Sequence, residues 1–390
     1  MQGQPGGAQA ATNLRTVAHY RRAEDLPAEV VAFMAAVSTE QLAGHAPWYR
    51  NLCAGVPPLA QQAHFFVLHG AVAPLAVLPL ATPAASQSGF GIGRCRVEAL
   101  SNYYTALYQP VLAAQIDISD LVHLLRHVMR ALNAPSRLHL APMDVDSRDY
   151  QLLRRALQKM HWPTFGFFCF GNWYLKDLNS YDNYLKGRSG NLRSSLKRAV
   201  RKFEADGGTI EIITQADRLQ AGTDAYKQVY QASWKQDEPY ADFVPGLIAL
   251  ACEERWLRLG IAWLDGQAIA AQLWMRVGKR VEIYKVAYDE AHKAHSPGAV
   301  LTAALIRHSI ECDQVEEIDF LIGDDTYKSS WMSHRRERWG LIAYNPGTWD
   351  GACGLAVEVV GRCVTTVARR LGFRLPNRGT AAQQGRGGAH

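Results

Sequence analysis

Apolar positions recur along this chain with two spacings, alternating in short runs and returning every three to four residues in longer ones. That mixture predicts interleaved strands and helices. In the first half, residues 29–37 read as a helix, 64–68 and 72–80 as adjacent strands around His69-Gly70-Ala71, and 95–101 as a further strand. An amphipathic helix over 117–132, a short strand over 137–141, a helix over 147–160 and an aromatic-rich strand over 164–175 complete it.

The second half repeats the rhythm. Residues 181–206 predict one long helix, 209–213 a strand, and 216–233 and 244–254 two more helices. Residues 257–264 and 267–277 predict a hairpin around Asp265-Gly266, and 280–288 the next strand of an antiparallel meander. A helix opening at Pro297-Gly298, a buried strand over 317–322, a short helix over 326–333 and a strand over 338–344 follow. The expected organisation is a tail over 1–13, a first lobe over 14–175, a second lobe over 176–346, an amphipathic helix over 347–376 and a tail over 377–390. Each lobe is expected to be α/β (α+β), a mixed and mostly antiparallel sheet flanked by helices.

Composition narrows this picture. With 390 residues, 48% hydrophobic and 20% charged, the chain has enough apolar surface for more than one core of ~150 residues. Seven cysteines stand far apart with no CxxC pair, which predicts reduced and mostly buried thiols. No leader pattern opens the chain and its longest apolar run is short of the ~20 residues a membrane span needs, so a cytoplasmic location is expected. GxSxG, HExxH and Walker A motifs are absent, which disfavours the hydrolases, zinc peptidases and P-loop enzymes that use them.

Candidate chemistry concentrates between Val281 and Lys328. A strand (Val281 to Tyr288) leads through His292, Lys293 and His295 into a helix that starts at Ser296-Pro297-Gly298-Ala299. Proline suits a first helical position because it has no N–H to leave unpaired, and glycine beside it admits a ligand to the backbone. Free N–H groups there would favour an anion, although ordinary helices also begin this way. Ile318-Asp319-Phe320 and Gly323-Asp324 then lead into Tyr327-Lys328. Alternation along the strand predicts that Glu282, Tyr284 and Tyr288 share one face, as a site wall or as core packing. Residues 186–202 form a second feature: Lys186, Arg188, Arg193, Lys197, Arg198, Arg201 and Lys202 occur before any acidic residue, a surface suited to phosphates.

These stretches, with Asn191-Leu192-Arg193 in the basic helix and Tyr284-Lys285-Val286-Ala287-Tyr288-Asp289 before the loop, resemble the GNAT-type acyltransferases of the CelD/BioF-like group, relatives of the FemAB peptidyltransferases. The resemblance implies an acyl-CoA-dependent N-acyltransferase that uses acetyl-CoA or another acyl-CoA as donor, without a metal. Its acceptor would be a small molecule or an amine of an envelope or exopolysaccharide precursor. The strand carrying Tyr284 and Val286 would splay from the strand carrying Asp319 to admit pantetheine, and Lys293, His295, Ser296, Gly298 and Ala299 would hold the pyrophosphate. Tyr327 is the candidate general acid. Asp319 or Glu282 is the candidate base, with pairing to Lys328 or Arg335 as the structural alternative for Asp319. Arg193, Lys197, Trp234, Tyr288 and Lys328 are placed on the acceptor side.

Two other functions stay open at this level. FemAB relatives take aminoacyl-tRNA, which would make the basic helix an RNA contact and binding strongly salt-dependent. A non-catalytic ligand-binding component of polysaccharide synthesis would bind without turnover. The segment 354–373 reads as an amphipathic helix that docks on the first lobe, lines a dimer seam or touches a membrane surface, with intramolecular docking preferred. The oligomeric state is left open.

Overall fold

A computed structural model of the chain describes residues 15–83 and 96–370. The expected tails, Cys95 and the end of the C-terminal helix lie outside the described residues.

Among the described residues, thirteen strands join in a single sheet. They are β1 (Thr16–Tyr20), β2 (Ala63–His69), β3 (Pro74–Ala81), β4 (Arg96–Ala99), β5 (Val111–Leu112), β6 (Arg137–Asp144), β7 (Thr164–Leu175), β8 (Thr209–Ile213), β9 (Leu257–Leu264), β10 (Gln267–Val277), β11 (Arg280–Tyr288), β12 (Glu317–Asp319) and β13 (His334–Tyr344). Their order is β1-β2-β3-β4-β6-β13-β7-β12-β11-β10-β9-β8, with β5 on β3. The helices are α1 (Ala28–Val37), α2 (Ala46–Gly55), α3 (Pro57–Ala60), α4 (Ile118–Ala131), α5 (Arg148–Lys159), α6 (Tyr181–Lys186), α7 (Gly190–Ala205), α8 (Leu219–Gln231), α9 (Phe243–Glu253), α10 (Pro297–Glu311), α11 (Thr326–Trp331) and α12 (Trp349–Arg370).

The topology is a tandem repeat. In the first half an antiparallel β2-β3-β4 meander crosses through α4 to β6, which runs parallel to β4. In the second half the β9-β10-β11 meander crosses through α10 to β12, parallel to β11. The halves then exchange their last strands. β7 reaches across to pair with β12, and β13 returns to pair with β6 while also lying along β7. The result is the expected pair of GNAT-like α/β lobes in one continuous mixed sheet.

Local chemistry accounts for the elements. Asp117 caps α4 through a reciprocal bond with Asp120, and Ser147, Ser180 and Ser189 cap α5, α6 and α7 with their side chains. Asp265 and Gly266 both adopt left-handed backbone (φ 51° and 74°), the conformation a tight two-residue hairpin between β9 and β10 requires. Three apolar clusters fill the layers: one under α1, α2, α8 and α9, one under α4 and α5, and one under α6, α7 and α10.

Four expectations need correction. The predicted helix over 181–206 is two helices, because Ser189 caps a fresh start two residues after Gly187 ends α6. The predicted strand over 317–322 stops at Asp319, where Leu321 turns into left-handed backbone (φ 53°) and Gly323 follows at φ 109°. Of the described cysteines only Cys53 and Cys169 are buried, and Cys312 and Cys363 are exposed. The C-terminal helix does not bury its apolar side against the first lobe, since Val357, Val360, Val364 and Val367 all face outward. Sequence reading also missed β1, a five-residue edge strand, and α2, whose proline-led start and mixed pattern hide its buried face.

Candidate active site

The site forms where β11 and β12 part. Their parallel ladder covers Arg280 to Glu282 against Glu317 to Asp319 and then ends. From Ile283 to Tyr288 the edge of β11 that faced β12 pairs with no strand among the described residues, so the ladder opens as a wedge with backbone groups free along the β11 side.

A bulge shapes that wall. Leu273 of β10 pairs with Lys285 while the next residue, Trp274, pairs with Ile283, so Tyr284 is an extra residue in β11. A bulge of this kind re-aims the side chains beyond it. Glu282, Tyr284 and Tyr288 therefore do not share one face, contrary to simple alternation. Tyr284 packs with the α8/α9 cluster, whereas Ile283, Val286 and Tyr288 pack with the α10 cluster.

Glu282 stands at the apex of the wedge, buried and 3.8 Å from Arg280. Burial pushes its carboxyl up to about 7, outweighing the pull of Arg280, so it exchanges a proton near neutral pH. Asp319, its ladder partner, is entirely enclosed. It accepts from Arg280 and Arg336, from Asn172 at 2.5 Å and from the Leu321 N–H at 2.7 Å, with Arg338 at 3.9 Å. Burial alone would raise its carboxyl, but the three guanidiniums hold it well below the usual carboxylate range. A saturated, always-charged carboxylate with no opening to solvent makes a poor base. Asp319 fastens β12 to β7, β11 and β13 instead. The expected partners are committed elsewhere, Lys328 to Asp325 at 3.1 Å and Arg335 to Asp324 at 2.7 Å.

Tyr327, at the start of α11, is half exposed and stands edge-on to Phe320, with ring centroids 5.7 Å apart. Its hydroxyl makes no hydrogen bond among the described residues, and burial with nearby Asp325 pushes it up to about 12. Lys328 is buried and bonds the Ile322 carbonyl at 2.5 Å.

A further cluster gathers around β11 itself. Lys285, beside the bulge, pairs with Glu238, which also accepts from the Tyr104 hydroxyl at 2.8 Å. Tyr284 donates to the Tyr104 carbonyl at 2.8 Å, so a loop of the first lobe closes onto β11. Trp234 packs on Tyr288 at 4.7 Å, and Lys235 lies 5.8 Å over the Trp234 ring. Burial and then Lys285 bring Lys235 down to about 8. The sequence pointed to Trp234-Lys235 and Tyr288, and to the stretch that holds Lys285, but not to Tyr104, to Glu238 or to the pairing of Lys285 with Glu238. A lysine inside the apolar and aromatic run from Ile283 to Tyr288 was the available signal, because such a charge must find a partner.

The helix start at the cleft is less open than its sequence implied. Residues Glu290–His295 form a 3-10 helix, Ser296 takes left-handed backbone (φ 49°), and the Ala299 N–H bonds back to Ser296 at 3.0 Å. Pro297 has no N–H, so the Gly298 N–H is the first-turn donor left open. A Cβ on Gly298 would come within 3.2 Å of Tyr288. Gln272 holds this turn to β10 by donating to the Gly298 carbonyl at 2.9 Å. His292 bonds Asp289 and His295 bonds Asp206, at 3.1 and 3.2 Å, while Lys293 is exposed. Lys202 of α7 reaches the Ala294 carbonyl at 3.4 Å, which sets the end of the basic helix beside this loop. A pyrophosphate here would meet one free N–H, Lys293 and the α7 cations, a set of donors that fits an anion through side-chain charge more than through a backbone cradle.

On α7, Arg193, Lys197, Arg198 and Arg201 face outward with no acidic partner among the described residues. Arg188, between α6 and α7, bonds Ser333 and lies 5.1 Å over the Tyr184 ring.

Comparison with known proteins places this geometry. Residues 190–329, the stretch from α7 through the bulge and the α10 start to α11, match the acetyltransferase (GNAT) domain family. Among solved structures the chain is similar to FemX at 12% identity and TM-score 0.56, over 80% of this chain and 94% of that one. It is similar to L-PGS from Bacillus licheniformis at 12% identity and TM-score 0.52, over 89% and 98%. A conserved protein of unknown function from Bacteroides thetaiotaomicron matches at 11% identity and TM-score 0.53, over 82% and 98%. No curated protein sequence matches. Residues 190–329 thus match the acetyltransferase (GNAT) domain family, an acyltransferase fold, and the chain as a whole shares its fold with FemX and L-PGS.

Proposed function

We propose that the chain moves an acyl group from an acyl-CoA thioester to an amine on a sugar or cell-envelope precursor, in the cytoplasm. The parting of β11 from β12 beyond Glu282 and Asp319 carries this reading. A thioester laid along the free edge of β11 would have its carbonyl polarised by N–H groups at the bulge, where charge develops in the tetrahedral intermediate. Glu282 takes the proton of the attacking amine, and Tyr327 returns one to the departing thiolate. The cations at the end of α7 and Lys293 meet the phosphates of the donor.

A second reading rests on α7 itself. Its outward arginines and lysines also suit an aminoacyl-tRNA, and the fold shared with FemX and L-PGS is compatible with that donor. Mass-spectrometric product analysis separates the two. Acetyl-CoA with a panel of amino sugars should give acetylated amine, and charged tRNA with the same panel should not. The reverse pattern would transfer the donor role to tRNA, and no product from either would leave a binding protein. Tyr327→Phe should lower kcat by on the order of 10²-fold with little change in KM. An unchanged rate would remove Tyr327 from the proton path.

A further inference from the structure

Helix α12 is built inside out. Its charged pair, Glu358 and Arg362 at 2.7 Å, faces the protein, where Arg362 donates to the Gly166 carbonyl at 3.0 Å and lies 4.8 Å over the Phe165 ring. Its outward side carries Trp349, 83% exposed, and Val357, Val360, Val364 and Val367, each 55–65% exposed. At 100° per residue, Trp349, Val360 and Val367 fall on nearly one line, with Val357 and Val364 beside it. They form an apolar stripe about 27 Å long. A surface helix of a water-soluble protein normally shows the opposite arrangement.

Charge identifies the occupant. From residue 359 to the end of the chain at 390 there are six arginines and no acidic residue, with Arg374, Arg378 and Arg386 following the helix. A second copy would offer these arginines few acids on the same helix: Asp350 in its first turn, and Glu358, which Arg362 already neutralises. A bilayer carrying anionic headgroups offers both an apolar layer for the valines and negative charge for the arginines, with tryptophan at home at its interface. The helix is long and apolar enough to span a membrane by length and composition. Its bonds to Phe165, Gly166 and Tyr344 hold it along the sheet instead, an attitude suited to lying in the interface.

We propose that α12 forms a peripheral anchor that seats the enzyme on an anionic membrane surface, with the arginines that follow it in sequence adding positive charge. The anchor is independent of which donor the active site uses.

The test is flotation of the purified full chain with phosphatidylcholine vesicles, with and without phosphatidylglycerol, beside a Val360→Glu/Val364→Glu variant. Circular dichroism and the melting temperature would confirm that the variant folds, and light scattering would report mass. We expect recovery with anionic vesicles at least tenfold above neutral ones, weakened by salt and lost in the variant, from a protein that is monomeric in solution. Equal recovery with both vesicles would overturn the role of charge. Failure to float would overturn the anchor, and a dimer that the variant dissociates would assign the stripe to a second copy.

Discussion

Asp319→Asn should destabilise the fold by roughly 3–5 kcal/mol, the range for breaking a buried ion pair from one side. The asparagine would still fill the space and bond Asn172 or the Leu321 N–H. Arg280, Arg336 and Arg338 would then lose the one carboxylate they share, keeping Glu317 at 3.5 and 2.6 Å from the first two and Asp144 at 2.9 Å from the third, where burial already opposes their cationic forms. Asp324→Asn is the control, because Asp324 meets Arg335 at the exposed surface and such pairs contribute less than about 1 kcal/mol. Denaturant midpoints at constant slope measure both. A loss below about 1 kcal/mol for Asp319→Asn would refute the structural role given to it. The pH dependence follows from the direction of the shift. The folded carboxyl lies below its unfolded value, so its contribution is present above the ordinary carboxylate range and is lost only as pH falls toward the depressed folded value.

Glu282→Gln should cut turnover by about 10²- to 10⁴-fold, the usual weight of a positioned general base. In the native enzyme kcat/KM should rise with pH through about 7 as Glu282 gives up its proton, and in the glutamine variant that limb should disappear. Stability moves the other way. The folded carboxyl lies above its unfolded value, so protonated Glu282 supports the fold at low pH and the support drains away as pH climbs toward about 7. Glu282→Gln should therefore be relatively more stable than the native chain above pH 7 while being far less active. A variant that kept both its rate and its pH profile would show that Glu282 is only packing. The two neighbouring carboxylates, Glu282 and Asp319, thus make opposite predictions from opposite surroundings.

Much of the architecture was legible because its signals are local. Alternation gave the meander, Asp265-Gly266 gave the hairpin, and Pro297-Gly298 gave the start of α10. What stayed hidden depended on contacts distant in the chain. Lys285 and Glu238 lie 47 residues apart and meet Tyr104 only because a loop of the first lobe folds over β11. Asp319 read as a candidate base because its three arginines come from β11 and β13, and no spacing rule foretells their convergence. The bulge at Tyr284 is equally silent in sequence, yet it decides which side chains face the cleft. The strand exchange of β7 and β13 could not be read either, since each strand has the same pattern whichever lobe it joins.

The most direct test of the central claim, that an acyl-CoA donor lies along the free edge of β11, is calorimetric titration of the full chain with acetyl-CoA, beside Gly298→Val. Saturable binding at low salt is expected, weakened at least tenfold in the variant, whose added side chain would crowd Tyr288 from 3.2 Å and cover the open N–H. No saturable binding by the native chain would contradict it and leave charged tRNA as the donor to test.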